Sequence, residues 1–394
     1  MSDSYTKTTT TSLGSRLGSS LIGVIVGIVL FIAAFPLIFW NEGRAIKRTK
    51  ALNEGQQVCV TVDNSQAVPE NEGKLIHTSG SVKTAETLSD TMFGQTVSNA
   101  LSFSRTVMMY QWQEHEKSET KKKTGGSTET KTTYTYTKEW VDHPVSSSSF
   151  EKEEGHENPT EWPVEGETWQ VGNAQLGAFE LSREQIEKAG KEEPFKPFVT
   201  NNIPLPQGLD SAYVRTSEGF YRGTDPQSVN PGSPKIGDIK VAFEVTPVCA
   251  ISMAGAQVGN TIAPYQTKFG TVLLQYNGTM TKEDIFAAAH RDNAILTWLL
   301  RVAALLMFFI GLKLIVGPLN VLADIIPFIG NICDYITGTA AFLVALVLTL
   351  ITVAIAWLTV RPVIGIALIA IAALLIFLAK KKKKGTKQPQ EQAQ

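Results

Sequence analysis

The side chains best suited to acid–base or metal chemistry are scattered along this chain of 394 residues. It contains no His-Glu-x-x-His motif, no Gly-x-Ser-x-Gly elbow, no Gly-rich phosphate loop and no Cys-x-x-Cys pair. Glu114-His115-Glu116 lies on a predicted strand, where successive side chains point to opposite faces. His143 and His156 flank a serine tract and could bind a metal with a nearby glutamate, although solvated loop residues fit that composition better. We therefore predict no catalytic, cofactor-binding or metal-ligating residue, and no enzyme.

Charged residues at apolar stretches are the second place to look for function, because a charge in lipid is costly. Arg301 and Lys313 lie near the two ends of one apolar stretch, and neither has a carboxylate partner inside a predicted span. This disfavours a proton relay and makes both residues membrane-interface anchors, whose long stems reach the polar boundary. The other predicted anchors are basic residues at the ends of apolar stretches, namely Arg44, Arg361, Lys380 and Lys381.

Four apolar stretches position these residues. Each is long enough, or nearly so, to cross a hydrocarbon core of about 30 Å as a helix. The predicted spans are residues 21–40, 294–316, 338–360 and 363–379, and residues 41–293 have the composition of a soluble domain. The sequence therefore predicts a multi-pass α-helical membrane protein with four spans, one N-terminal and three C-terminal. A large β-rich α+β extramembrane domain lies between spans 1 and 2.

The remaining segments are interpreted from their composition. Residues 1–20 form a Ser/Thr-rich tail that is predicted to be disordered. Residues 317–337 contain two prolines and two aspartates, which excludes an ordinary span. We expect an interfacial amphipathic segment there, with a re-entrant loop as the alternative. Residues 380–394 form a lysine-rich cytoplasmic tail.

Alternation with period two predicts strands in the central domain, most clearly over residues 239–245. Two aromatic strands flank residues 116–133, a Lys/Thr/Ser/Glu tract that we interpret as the solvated tip of a long hairpin. Ser182 has capping-box spacing for a short helix. Thr281 and Asp284 have the spacing of an N-cap, and they predict one continuous helix of about 35 residues that enters the second span.

Small residues and cysteines suggest two further contacts. Gly23 and Gly27 form a small-xxx-small pair, a spacing that lets two helix backbones approach closely. We expect this face to pack against another helix and to contribute to self-association, with chance spacing as the alternative. Cys59 and Cys249 could pair in an oxidising compartment, although two buried free thiols are favoured.

Charge bears on partners and on orientation. The formal net charge of −1 gives no electrostatic case for binding nucleic acid. Basic residues on the terminal side of the spans favour cytoplasmic termini, and four spans put both termini on one side. The central domain is therefore predicted to be extracytoplasmic. A cysteine placed at Gly125 should then react with a reagent that cannot cross the membrane.

Several motifs resemble the signature of the LUMA family, also called the transmembrane protein 43 family. In chain order they are Phe39-Trp40-Asn41-Glu42-Gly43-Arg44-Ala45, Met109-Tyr110-Gln111-Trp112, Tyr134-x-Tyr136-x-x-Glu139-Trp140, Gly237-Asp238-Ile239-Lys240-Val241-Ala242-Phe243, Leu296-Thr297-Trp298-Leu299-Leu300-Arg301 and Trp357-Leu358-x-x-Arg361-Pro362. The resemblance covers nearly the whole chain, including the four-span layout. It implies self-association and scaffolding of other membrane proteins, with no established catalytic residue.

The resemblance also bears on the compartment. Eukaryotic members imply the endoplasmic reticulum and inner nuclear membrane with a luminal central domain, and bacterial relatives exist. One N-glycosylation sequon, Asn277-Gly278-Thr279, gives no strong sign of a secretory pathway. We expect a bacterial inner-membrane relative with a periplasmic domain.

These observations combine into one predicted function with two alternatives. We predict a non-enzymatic membrane scaffold or organising protein that forms homo-oligomers in the lipid bilayer and binds other membrane proteins without a cofactor. One alternative is a channel or a lipid- or ion-handling protein, suggested by charged residues near the membrane. The other is an extracytoplasmic hydrolase.

Overall fold

Five α-helices and nineteen β-strands lie in the part of the chain that this computed structural model describes, residues 3–195, 205, 208–209 and 211–360. The helices are α1 (Leu13–Val58), α2 (Arg183–Glu187), α3 (Lys282–Ile315), α4 (Gly317–Ala323) and α5 (Pro327–Val360). The strands are β1 (Asp3–Thr11), β2 (Val60–Thr61), β3 (Leu75–Lys83), β4 (Thr87–Asp90), β5 (Gln95–Ser98), β6 (Ala100–Lys122), β7 (Thr128–Val141), β8 (Glu167–Gln170), β9 (Gln175–Leu176), β10 (Phe179–Glu180), β11 (Glu193–Pro194), β12 (Tyr213–Arg215), β13 (Gly219–Arg222), β14 (Ile239–Pro247), β15 (Ala250–Val258), β16 (Thr261–Ala263), β17 (Tyr265–Thr267), β18 (Gly270–Val272) and β19 (Leu274–Asn277).

The chain divides into two units. The β unit takes in Ala51–Glu119, Thr130–Ala289 and the chain up to Thr9. The helical unit takes in Thr10–Lys50, Thr120–Glu129 and the chain from His290. Each unit therefore combines segments that are far apart in the sequence.

Two sheets share one hydrophobic core in the β unit. One has the strand order β1-β7-β6-β14-β13-β12, with β8 on β6 and β11 on β14, and the other has the order β19-β15-β16-β10-β9-β3-β2. Phe103 of β6 stacks on Phe243 of β14 with ring centroids 5.4 Å apart. Met253 of β15 belongs to the same buried cluster. The β-rich character predicted for this domain is confirmed.

The alternation predicted for residues 239–245 is that of β14. Ile239, Val241 and Phe243 are each at most 1% exposed, while the residues between them are more exposed. This strand pairs antiparallel with β6, with Val241 opposite Val107. A strand that buries every second side chain fixes its own register, because a slip of one residue would expose the apolar set.

The β6–β7 hairpin runs further than the sequence predicts. Its strands continue through most of residues 116–133, and only the residues from 123 to 127 connect them. Ser118 and Thr132 lie opposite each other with hydroxyl oxygens 2.8 Å apart. Threonine favours extended structure and cross-strand hydroxyl pairs stabilise it, so this polar tract is strand rather than loop.

The N-terminal tail also differs from its predicted disorder. Residues 3–11 form β1, which lies beside β7 at the edge of a sheet. Asp3 Oδ2 is 3.1 Å from His156 Nε2, and Lys7 Nζ is 2.7 Å from Glu151 Oε1. A threonine-rich edge strand needs no apolar face of its own, so its sequence carries no apolar alternation that would predict a strand.

Local capping signals are confirmed. Thr281 Oγ1 accepts a hydrogen bond from the Asp284 backbone N–H at 3.1 Å, and α3 then runs without interruption for 34 residues. Ser182 and Gln185 form the predicted capping box at the start of α2. Each cap satisfies a backbone N–H that has no partner within its helix.

Three helices in the described part of the chain are long and apolar enough to cross a membrane, namely α1, α3 and α5. The predicted fourth span, residues 363–379, lies outside the described residues. The predicted interfacial segment, residues 317–337, is not a single element. Its first part is α4, and its second part is the beginning of α5, which continues unbroken through the predicted third span.

The small residues of α1 pack within the chain. A Cβ atom on Gly27 would lie 2.7 Å from the Gly311 carbonyl oxygen of α3, and one on Gly23 would lie 3.5 Å from Leu314 Cδ2. The structure thus gives this face a partner in α3, whereas the sequence analysis assigned it to self-association. Close backbone approach explains the need for glycine at Gly27 and Gly311.

We expect Gly27→Leu to lower the thermal stability of the purified protein in detergent, because the new side chain would overlap the α3 backbone. Overpacking of this kind costs about 1–3 kcal/mol. Gly18→Leu is the matched control, since a Cβ at Gly18 meets nothing within 4 Å. Equal melting temperatures for the two variants would contradict the contact.

Candidate functional site

A buried ion pair lies near the last residues of the apolar stretch of α1 and the first residues of that of α3. Arg301 Nε and Nη2 donate to Glu42 Oε1 and Oε2 at 2.7 and 2.9 Å. Glu42 is 2% exposed and the Arg301 side chain 14%. The planar guanidinium matches the carboxylate with two parallel hydrogen bonds. Trp357 of α5 adds a third bond, from Nε1 to Glu42 Oε2 at 2.6 Å. One carboxylate therefore joins all three long helices.

The sequence analysis found no carboxylate partner for Arg301 inside a predicted span, and Glu42 lies just beyond the first one. Because it is 259 residues earlier in the chain, no local pattern links it to Arg301. Arg301 is thus paired with Glu42 inside the helical unit. Lys313 is exposed, and the anchoring role of both residues stays a prediction. The remaining predicted anchors, Arg361, Lys380 and Lys381, lie outside the described residues.

A layer of polar side chains surrounds the pair. Arg44, predicted as an anchor, donates from Nη1 to Asn293 Oδ1 at 3.0 Å and from Nη2 to Thr297 Oγ1 at 3.1 Å. Asn41, which is fully buried, donates to the Thr297 carbonyl at 3.0 Å. Asn293 donates in turn to the Ala45 carbonyl at 3.0 Å. These bonds satisfy polar groups that would otherwise be costly to bury.

A cavity of about 190 Å³ opens beside this layer. Its walls are side chains of the three long helices, namely Glu42, Ala45, Ile46, Thr49, His290, Asn293, Ala294, Thr297, Trp298, Arg301 and Trp357. The Arg301 guanidinium carbon lies 4.7 Å from the ring centroid of Trp298 and 5.6 Å from that of Trp357. The cavity can hold a polar group, but the Glu42 carboxylate is occupied by its partners and is poorly placed to act as a base.

The histidines do not form a catalytic arrangement in the β unit. His77 is 3% exposed, and its Nε2 is 3.5 Å from Ser79 Oγ. Burial lowers the pKa of His77. The Ser79 hydroxyl donates to the Met280 carbonyl at 3.0 Å. His156 is fully buried and stacks on Tyr136 at 3.9 Å. Among the residues that the structure describes, no three metal-ligating side chains gather at one point.

The two cysteines considered for a disulfide are free thiols. Cys59 belongs to a buried cluster with Leu52 and Phe286, whereas Cys249 packs against the larger core of the two sheets. Burial raises the pKa of Cys59 to about 11, so the thiol stays protonated at neutral pH. A protonated buried thiol behaves as a small hydrophobe and a poor nucleophile.

A second charged cluster lies at the turn of the β6–β7 hairpin, within the helical unit. Lys122 Nζ is 2.6 Å from Asp324 Oδ1, and Arg16 Nη2 is 2.5 Å from Asp324 Oδ2. The Gly125 backbone N–H donates to the Ile325 carbonyl at 3.0 Å. This contact requires the hairpin turn and the residues after α3 to share one side of the membrane. The topology predicted from the sequence puts them on opposite sides.

The chain matches the family model described as Transmembrane protein 43 over residues 109–362. It is 35% identical to Transmembrane protein 43 of Rattus norvegicus over 362 residues, which cover 89% of this chain and 87% of the rat protein. Identity to Transmembrane protein 43 of Homo sapiens is 34% with the same coverage. The Transmembrane protein 43 homolog of Drosophila melanogaster is 29% identical over 351 residues, or 87% of this chain and 90% of the fly protein. No solved structure matches the chain. The expectation of a bacterial source stays a prediction.

We expect Arg301→Met to destabilise the protein strongly, because it leaves the Glu42 carboxylate buried without its partner. Breaking a buried pair on one side costs about 3–5 kcal/mol. The double variant Glu42→Met with Arg301→Met removes both charges and should recover much of that loss. Melting temperatures in one detergent measure both effects. A double variant as unstable as the sum of the single variants would contradict a pairing role.

We expect cysteines at Gly125 and Ile325 to form a disulfide in a background without Cys59, Cys249 and Cys333. The backbone hydrogen bond between the two positions brings them within disulfide range. Each single cysteine variant serves as the control. Labelling of Gly125→Cys in sealed vesicles by a reagent confined to the extracytoplasmic side, without cross-linking, would overturn this contact and favour the predicted topology.

Proposed function

The chain belongs to the transmembrane protein 43 family, and we propose on that basis that it is a non-enzymatic membrane scaffold. In this proposal the protein self-associates and presents its extramembrane domain to partner membrane proteins. Cytoplasmic termini and an extracytoplasmic domain are part of this proposal only if the Gly125–Ile325 contact is absent in the membrane, which the labelling of Gly125→Cys tests. The membrane is a bacterial inner membrane or, in a eukaryote, the endoplasmic reticulum and inner nuclear membrane.

The observation that carries the proposal is that charged side chains of the long helices bind one another. Glu42, Arg301 and Trp357 bond to one another across three helices. Charges that are satisfied internally stabilise one arrangement of helices, and neither Glu42 nor Arg301 is then free to relay a proton or attack a substrate. A fixed bundle suits a protein whose role is to hold others in place.

The channel alternative gains no support from the third long helix. Thr349 and Thr352, two of the threonines of this helix, are buried and donate to carbonyls of the same helix at 2.8 and 2.7 Å. A conducting path needs polar groups that face a continuous opening. The lipid-handling alternative has one specific observation in its favour, the polar cavity beside Arg301.

The surface for self-association must lie away from the Gly23–Gly27 face, which α3 occupies. Large apolar side chains remain exposed on α5, including Phe342 at 45%, Val347 at 53% and Leu350 at 61%. Such residues face lipid or another helix, and lipid-facing leucine gains nothing by association alone. Self-association through α5 would therefore depend on shape complementarity.

We expect two differently tagged copies of the full-length protein to co-purify when they are co-expressed. Copies mixed only after solubilisation are the control for non-specific detergent aggregates. Native mass spectrometry should then show oligomers, and cross-linking in membranes should recover other membrane proteins. Monomers alone, with no recovered partner, would overturn the scaffold proposal.

A further inference from the structure

The cavity beside Arg301 lies at the level of lipid headgroups. The apolar stretch of α1 ends at Trp40, and that of α3 begins at Ile295. Trp40 and Trp298 are 59% and 64% exposed on the helix surface. Exposed tryptophans are typical of the boundary between hydrocarbon and water, where one end of the ring is apolar and the other wet. The cavity lined by Trp298 therefore opens among headgroups.

The cavity contains hydrogen-bonding groups that the protein itself does not use. Arg301 bonds to Glu42 through Nε and Nη2, which leaves Nη1 out of the pair. His290 lines the cavity, and its ring nitrogens have no hydrogen-bond partner among the described residues. An arginine and a histidine that line the same cavity supply N–H donors suited to a phosphate oxygen.

The cavity is much larger than the space that a single water molecule fills. A water needs about 10–15 Å³ by this measure, and the cavity measures about 190 Å³. Ala294, which lines the cavity, is exposed and small. The cavity therefore has room for a group of several heavy atoms.

The charges of the cavity select among phosphate-bearing groups. Glu42 and Arg301 cancel, whereas the neighbouring Arg44 guanidinium bonds only to neutral groups, so the site keeps a net positive charge. An anion compensates that charge, and a zwitterion does not. We propose that this cavity binds the headgroup of an anionic phospholipid, with its phosphate at Arg301 and His290. The site is independent of self-association, because all its walls come from one chain.

Native mass spectrometry of the full-length protein, titrated with phosphatidylcholine or phosphatidylglycerol in one detergent, tests the proposal. We expect one phosphatidylglycerol per protomer to survive activation that removes phosphatidylcholine. Millimolar inorganic phosphate should not displace it, because the acyl chains also bind. Preferential retention of phosphatidylcholine would overturn the charge selection, and displacement by phosphate would overturn the lipid assignment in favour of a general anion site.

Two variants locate the bound lipid without breaking the ion pair. Ala294→Phe fills the opening, and His290→Ala removes one donor. His290→Ala should weaken phosphatidylglycerol retention by about tenfold, the effect of losing a hydrogen bond to a charged group. Ala294→Phe should weaken it at least as much, because the ring occupies the space of the headgroup. Leu299→Phe adds the same ring to a residue of α3 that is 62% exposed and does not line the cavity. Retention that is unchanged in Ala294→Phe, or equally lost in Leu299→Phe, would contradict the assignment.

Discussion

Removing a carboxylate and a guanidinium from water costs several kcal/mol per ion unless each group is met by the other. In the helical unit this constraint falls on Glu42 and Arg301, which are nearly buried and bonded twice. Trp357 donates a further hydrogen bond to the Glu42 carboxylate. Next to the pair, the side chains of Asn41, Arg44, Asn293 and Thr297 form hydrogen bonds between α1 and α3. The relative placement of α1, α3 and α5 follows from this requirement together with close packing at Gly27 and Gly311.

The helical unit therefore combines two kinds of contact that act at different places. Close backbone approach at Gly27 fixes how near α1 and α3 come, but many rotations of a smooth apolar helix would allow it. The ion pair at Glu42 and Arg301 allows few rotations, because a bidentate bond has defined directions. Phe35 and Phe308 pack between the two sites with centroids 4.8 Å apart. Distance and rotation are thus set by separate residues.

Much of the fold could be predicted because its signals are local. The strand at residues 239–245 alternates with period two, and the caps at Thr281 and Ser182 are short-range patterns. The site could not be predicted in the same way. Glu42 and Arg301 are far apart in sequence, and no local rule says which distant carboxylate an arginine will meet. The one signal that pointed there was the resemblance, because Glu42, Arg301 and Trp357 each fall within a different motif.

The separation of Glu42 from Arg301 has a consequence for the synthesis of the protein. A ribosome adds about 5–20 residues per second, so the 259 residues between the two partners take roughly 10–50 s to appear. Throughout that interval α1 can already be inserted while its carboxylate has no arginine. Glu42 must then stay hydrated at the membrane surface or be held by an insertion factor. The helical unit can close only after the whole β unit has been translated, which makes its assembly a late step in biogenesis.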